Sequence, residues 1–185
     1  MSPSPLWYLT RGTGVVSLVL LTLVVLLGVT STFRWRSARL PKFLVHGLHR
    51  NLTLLALVFL AVHIVTAVID SYAPIRLIDA FVPFVGTYRP LWLGLGAVAF
   101  DLLLALTATS LLRSRVGPRL WRALHWLAYA AWPVAVVHGL GTGTDARSAW
   151  MELLTAACVL AVAGGVLFRV AGGGTRRVPA LPELG

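Results

Sequence analysis

Four of the five histidines in this 185-residue chain fall into two pairs with almost the same internal spacing. His49 and His63 stand fourteen positions apart in LHRNLTLLALVFLAVH, an apolar run that continues to Ile69. On a helix rising about 1.5 Å per residue they are separated by about 21 Å along the axis. At about 100° per residue they return to within roughly 40° of one face, with Ala56 midway on the same stripe. His125 and His138 stand thirteen positions apart in a second apolar run.

A histidine in hydrocarbon is costly, and one alone is well explained by a hydrogen bond between helices. Four of them, two on each of two helices, call for more. If one further span separates the two runs, they cross the membrane in the same direction, and the first histidine of each reaches the same depth. The pairs are then His49 with His125 and His63 with His138. Facing imidazoles can fill both axial positions of a haem iron, so the pattern predicts two stacked haems of b type, with these four residues as metal ligands. Iron held in this way has no open position for a substrate and passes electrons. Thirteen positions on an ideal helix leave His138 about 140° from His125. Pro133 lies between them and removes a backbone hydrogen bond, so a kink or π-bulge there is expected to re-aim His138.

The elements that must carry these residues are membrane helices. Hydrophobic residues make up 58% of the chain and charged residues 12%, whereas soluble domains are about a quarter charged. Five runs approach the roughly 20 residues that a helix needs to cross a bilayer: about 11–32, 43–69, 91–112, 120–140 and 149–170. The expected fold is all-α, a single transmembrane domain over residues 1–185 with a short cytoplasmic tail from 171 to 185. The first run, from Leu9 to Thr32, exceeds the roughly 7–15 residues of a secretory signal core and reads as a retained helix. The single cysteine, Cys158, excludes an intrachain disulfide and a cysteine-ligated cluster. A net charge of +10 would suit nucleic acid, but the basic residues sit in short connectors and tails, as membrane topology requires. Arginine outnumbers lysine fifteen to one, a bias that fits a GC-rich genome.

Counting Lys and Arg on alternate sides sets the orientation. One side holds twelve, namely Arg34, Arg36, Arg39, Lys42, Arg50, Arg113, Arg115, Arg119, Arg122, Arg169, Arg176 and Arg177; the other holds four, Arg11, Arg76, Arg89 and Arg147. The N-terminus is therefore expected outside and the C-terminus in the cytoplasm, with His49 and His125 at the inner level and His63 and His138 at the outer. Trp7, Trp92 and Trp150 then fall at outer helix ends and Trp35 and Trp121 at inner ones, as interfacial anchors do. The segment Ser71 to Pro90 is long for a connector. It reads either as lying flat in the outer interface or as a packed loop with turns at Pro74 and Pro83, and in both cases it can cap the outer pair.

Arg50 and Arg122, beside the inner histidines, are candidates to meet haem propionates, because arginine matches a carboxylate with a two-pronged fork. Arg89 and Arg147 are weaker candidates outside. His46 reads as an interfacial histidine, and its seventeen-residue distance from His63 fits the stacked plan less well than that of His49. Asp101, near the middle of the third run, is expected to be a protonated acid bonded to a neighbouring helix, with a proton path as the alternative. GLGTGTD after His138 follows no strand and reads as a helix-end turn, with no nucleotide loop.

Histidine pairs with thirteen and twelve intervening residues on two parallel helices resemble the ferric reductase-like transmembrane domain. That family includes the membrane parts of ferric-chelate reductases and NADPH oxidases, and the haem subunit feeding a periplasmic methionine sulfoxide reductase. The resemblance covers roughly Trp7 to Arg169 and implies that His49, His63, His125 and His138 are its haem ligands. It also implies an oxidoreductase component that carries electrons from a cytoplasmic donor to an outer acceptor, in a cell membrane of bacterial type. The chain departs from the larger members in offering no flavin or nicotinamide site and no Rossmann fingerprint. The expected donor is thus a separate flavoprotein or a quinol. The acceptor stays open between a ferric chelate, oxygen and a redox protein. The competing reading is a cofactor-free membrane anchor or assembly partner. A small transporter is disfavoured by the lack of an inverted repeat.

Overall fold

The computed structural model describes residues 4–31 and 42–173. Arg34, Trp35, Arg36 and Arg39 of the first connector, and Arg176 and Arg177 of the tail, lie outside the described residues. The elements in order are α1 (Pro5–Ser31), α2 (Lys42–Ile69), a 3₁₀ turn at Leu77–Ala80, α3 (Pro90–Leu111), α4 (Arg113–Val116), α5 (Pro118–His125), α6 (Ala128–Thr142) and α7 (Ala149–Gly173). Pro5, Pro90 and Pro118 each occupy the first position of a helix, where the missing N–H costs nothing.

Four helices, α1, α2, α3 and α7, are each long and apolar enough to cross a membrane. The expected span 120–140 is instead two shorter rods. The amides of Trp126, Leu127, Tyr129 and Ala130 bond three residues back, at 3.3, 2.9, 3.0 and 3.0 Å, so the chain overwinds into 3₁₀ geometry between α5 and α6. The irregularity therefore sits several residues before Pro133, which lies within a continuous α6. The irregularity expected at Pro133 is thus present at the α5–α6 joint.

The first span also begins earlier than expected, at Pro5. Ser4 caps it, its Oγ accepting from the Trp7 amide at 2.9 Å and donating to Asp70 at the end of α2 at 3.1 Å. The charge of Arg11 does not end the helix because Arg11 forms an ion pair with Asp145.

Along the spans, large apolar side chains point outward: Leu153, Leu160 and Leu167 of α7 are 72%, 71% and 68% exposed. Such a surface would drive aggregation in water, and lipid covers it in a bilayer. The interior is lined by small and hydroxyl-bearing residues, among them Thr13, Ser17, Ala56, Ala97, Ala99 and Ala131, which let membrane helices approach closely. The chain is thus an all-α, multi-pass membrane protein.

Helix α1 is the central post, with α2, α6 and α7 packed on it, while α3 packs on α6. Trp132 and Val136 of α6 and Cys158 and Val162 of α7 form a buried cluster against Leu18, Leu21 and Val25 of α1. Within it the Trp132 indole N–H donates to the Thr22 hydroxyl at 3.0 Å, which itself donates to the Leu18 carbonyl at 2.8 Å. Helices α2 and α6 are not packed against one another along their length. The space between them is where the histidines face.

The Ser71–Pro90 segment is a packed loop. The Asp79 carboxylate, in a residue only 2% exposed, accepts from the Arg76 amide at 2.9 Å and from its guanidinium at 2.8 and 3.3 Å. The hydrogen bond and charge of Asp79 raise the pKa of Arg76, and those of Arg76 hold the Asp79 carboxyl below the usual carboxylate range. Phe81 packs edge-on against Phe100 of α3 at 5.4 Å. Leu77 and Ile78 remain exposed, at 57% and 51%, so the loop also offers an apolar face to the interface.

Candidate cofactor site

The two predicted histidine pairs come together. The His49 and His125 rings stand 6.4 Å apart between centroids at 61°, and His63 and His138 stand 6.5 Å apart at 84°. A metal ion shared by two imidazoles, bonded to each at about 2.0 Å, places the ring centres about 6.3 Å apart. Both pairs fit that requirement. Among the described residues no group of three or more His, Cys, Asp or Glu side chains gathers to hold a metal. Two-histidine sites of this kind suit a group that brings its own remaining donors, as a porphyrin does.

Overwinding of the α5–α6 joint accounts for the match between spans of unequal spacing. About five residues wound at 3.0 per turn rather than 3.6 add roughly 100°, which cuts the 140° mismatch of an ideal helix to about 40°. The longer 3₁₀ rise adds about 2.5 Å, so thirteen residues cover about 22 Å against about 21 Å for fourteen on α2. One local irregularity corrects both angle and depth.

The outer pair lines a cavity of about 670 Å³ between α1, α2, α3 and α6, walled also by Thr10, Arg11, Gly14, Gly96 and Phe100. Asp79, Tyr72 and Tyr88 of the 71–90 loop line it as well, so that loop lies beside His63 and His138. His63 Nδ1 lies 2.7 Å from the Thr10 carbonyl and His138 Nδ1 lies 2.8 Å from the Trp92 carbonyl. A carbonyl can only accept, so each Nδ1 carries the proton and each Nε2 presents a lone pair. This is the arrangement in which histidine binds metals. At the inner level the buried Nδ1 atoms of His49 and His125 have no hydrogen-bond partner among the described residues, and Trp121 stacks on His125 at 4.9 Å.

Of the other expected residues, Arg50, Arg122, Arg89, Arg147 and His46 are all exposed. Arg122 donates to the Pro118 carbonyl at 3.1 Å and Arg89 to the Gly141 carbonyl at 2.8 Å. Asp101 is half-buried and forms no hydrogen bond among the described residues, so the expected bond to a neighbouring helix is not found. Sequence reasoning missed Arg11, which lines the cavity with its side chain 18% exposed and its guanidinium 4.3 Å over the Trp7 ring. A charge two turns inside an apolar helix was the available signal. It also missed the glycines that face the rings.

A family model described as ferric reductase-like transmembrane component matches residues 13–136. The matched segment contains His49, His63 and His125 and stops two residues short of His138. No curated protein and no solved structure matches the chain.

Proposed function

Because this chain belongs to the ferric reductase-like transmembrane family, we propose that it is a dihaem b-type electron-transfer subunit, carrying electrons from a cytoplasmic or quinol donor to an outer acceptor. Membership makes it an oxidoreductase-type membrane component; the two bis-histidine sites and the direction of transfer are our own reading. The observation that carries it is the facing of two imidazole pairs at 6.4 and 6.5 Å on α2 and the α5–α6 leg.

In this reading His49 and His125 hold the inner haem and His63 and His138 the outer one. When bound, each haem supplies a one-electron couple inside the hydrocarbon layer, where no side chain could carry charge so cheaply. The protein's part would be to offer an imidazole Nε2 from each helix to the group and to wall the site with apolar residues. We assign the inner propionates to Arg50 and Arg122. Arg11, already in the outer cavity, is the cation for the outer ones. The twelve-to-four bias of basic residues supports an N-terminus outside, in a plasma membrane of bacterial type. We take a flavoprotein or a quinol as the donor.

The test is a reduced-minus-oxidised visible spectrum of the detergent-purified protein together with haem per chain. Two haems are expected, with the inner one lost in His49→Leu and the outer one in His138→Leu. A haem-free protein would leave the family fold without this function and favour a cofactor-free anchor.

A further inference from the structure

The two outer histidines are fixed by the same three-part device, built on different helices. His63 bonds the carbonyl of Thr10, and four residues on stands Gly14. His138 bonds the carbonyl of Trp92, and four residues on stands Gly96. In an α-helix the amide at i+4 already occupies the carbonyl at i, and the Cβ of residue i+4 shields the remaining lone pair from a neighbouring helix. A methyl on Gly96 would stand 2.5 Å from His138 Cε1 and 2.6 Å from Nδ1. One on Gly14 would stand 3.0 Å from the same two atoms of His63. The rings therefore occupy the volume that the side chain of any other residue would fill.

We propose that Gly14 and Gly96 are positioning residues for the outer haem: each opens a helical carbonyl to a second, histidine donor, and so fixes the tautomer, orientation and donor strength of that ligand. The inference rests on the dihaem reading above. A ring N–H donated to a carbonyl makes the opposite nitrogen more basic, which favours ferric over ferrous iron and holds the potential of the outer site down. The Thr142 hydroxyl, which donates to the His138 carbonyl, sits 3.3 Å from the same Nδ1 as a further acceptor, so His138 is doubly held. On the inner side the device is looser: Gly28 stands four residues after Val24, whose carbonyl faces His49. Gly28 faces His49, but a methyl there would stand at 3.6 Å, an ordinary contact, and His49 Nδ1 has no hydrogen-bond partner among the described residues.

The experiment is a redox titration of the haem-loaded protein with Gly96→Ala, Gly14→Ala and, as a helix-propensity control, Gly164→Ala, which faces open space. The outer wave is assigned as the one that His138→Leu removes. Gly96→Ala should raise the outer potential and alter that haem's ferric EPR signal, Gly14→Ala should do so to a smaller extent, and the inner wave should stay in place. Should Gly96→Ala fail to accumulate, Gly14→Ala decides, since its methyl asks the ring to give by only a few tenths of an ångström. A wild type without haem overturns the dihaem reading and this inference together. A two-haem wild type whose outer potential and EPR signal ignore the glycine substitutions, or shift equally with Gly164→Ala, overturns the inference alone.

Discussion

The Arg11 guanidinium on α1 forms an ion pair with the Asp145 carboxylate between α6 and α7, and both side chains line the cavity of the outer histidines. The side chains are 18% and 38% exposed, so the pair is neither fully dry nor fully screened. It ties the first helix to the end of the leg that carries His138.

Breaking one side of a buried pair costs several kcal/mol, and partial exposure reduces that, so Arg11→Leu should destabilise the protein by about 1–2 kcal/mol. Adding Asp145→Asn removes the stranded carboxylate and should recover part of the loss. Thermal unfolding in detergent across the double-mutant cycle measures the coupling. Equal stability of wild type and Arg11→Leu would show that the contact contributes nothing.

His46→Leu should leave haem stoichiometry unchanged, whereas His49→Leu should remove one haem. His46 is exposed while His49 faces His125. Pyridine haemochrome assay of the two variants, side by side, decides which of the neighbouring histidines is the ligand.

The Asp79 anchor of the outer loop should fail only in acid. Its carboxyl is held below the usual range by Arg76, so its contribution is complete above the unfolded value of about 3.9 and fades as pH falls through the lower folded value. The protection factors of residues 77–82, corrected for the intrinsic exchange rate, should therefore be flat from pH 5 to 8 and fall only at pH values below the unfolded value. Asp79→Asn should show the lowered protection already at pH 7. A protection that declines smoothly between pH 8 and 5 would contradict this sign.

Gly94→Ala should cost about 1–3 kcal/mol through overpacking. Its methyl would stand 2.7 Å from the backbone nitrogen and from ring Cε1 of Phe84, and Phe84 holds φ at +68°, so the loop has little freedom to retreat. The midpoint of thermal unfolding should fall, and Gly164→Ala should not lower it.

Much of this arrangement was legible in the residues. The four histidines and their pairing followed from spacing and from alternation of the spans, because periodicity and membrane crossing are both arithmetic on the chain. Positions of α2, α3 and α7 followed from apolar length. The joint at Trp126 and Leu127 was not legible, since neither residue is a helix breaker and Pro133 drew attention away. Overwinding there turns His138 toward α2, and no local signal in the sequence records it. Arg11 was misread as an end of a span because its partner Asp145 lies 134 positions away. The glycines facing the rings were invisible for the same reason: their role lies in what they leave room for.

The leg made of α5 and α6 crosses its half of the bundle as two rods with a joint between them, and the rods rest on different neighbours: α5 on α3 and α4, α6 on α3 and α1. His125 closes the first rod and His138 sits near the far end of the second. A shift of the short rod, driven by a protein docking at the basic face, can thus be absorbed at the joint before it reaches the other end. In the dihaem reading proposed above, this joint would let the inner station adapt to its donor while the outer one keeps its geometry.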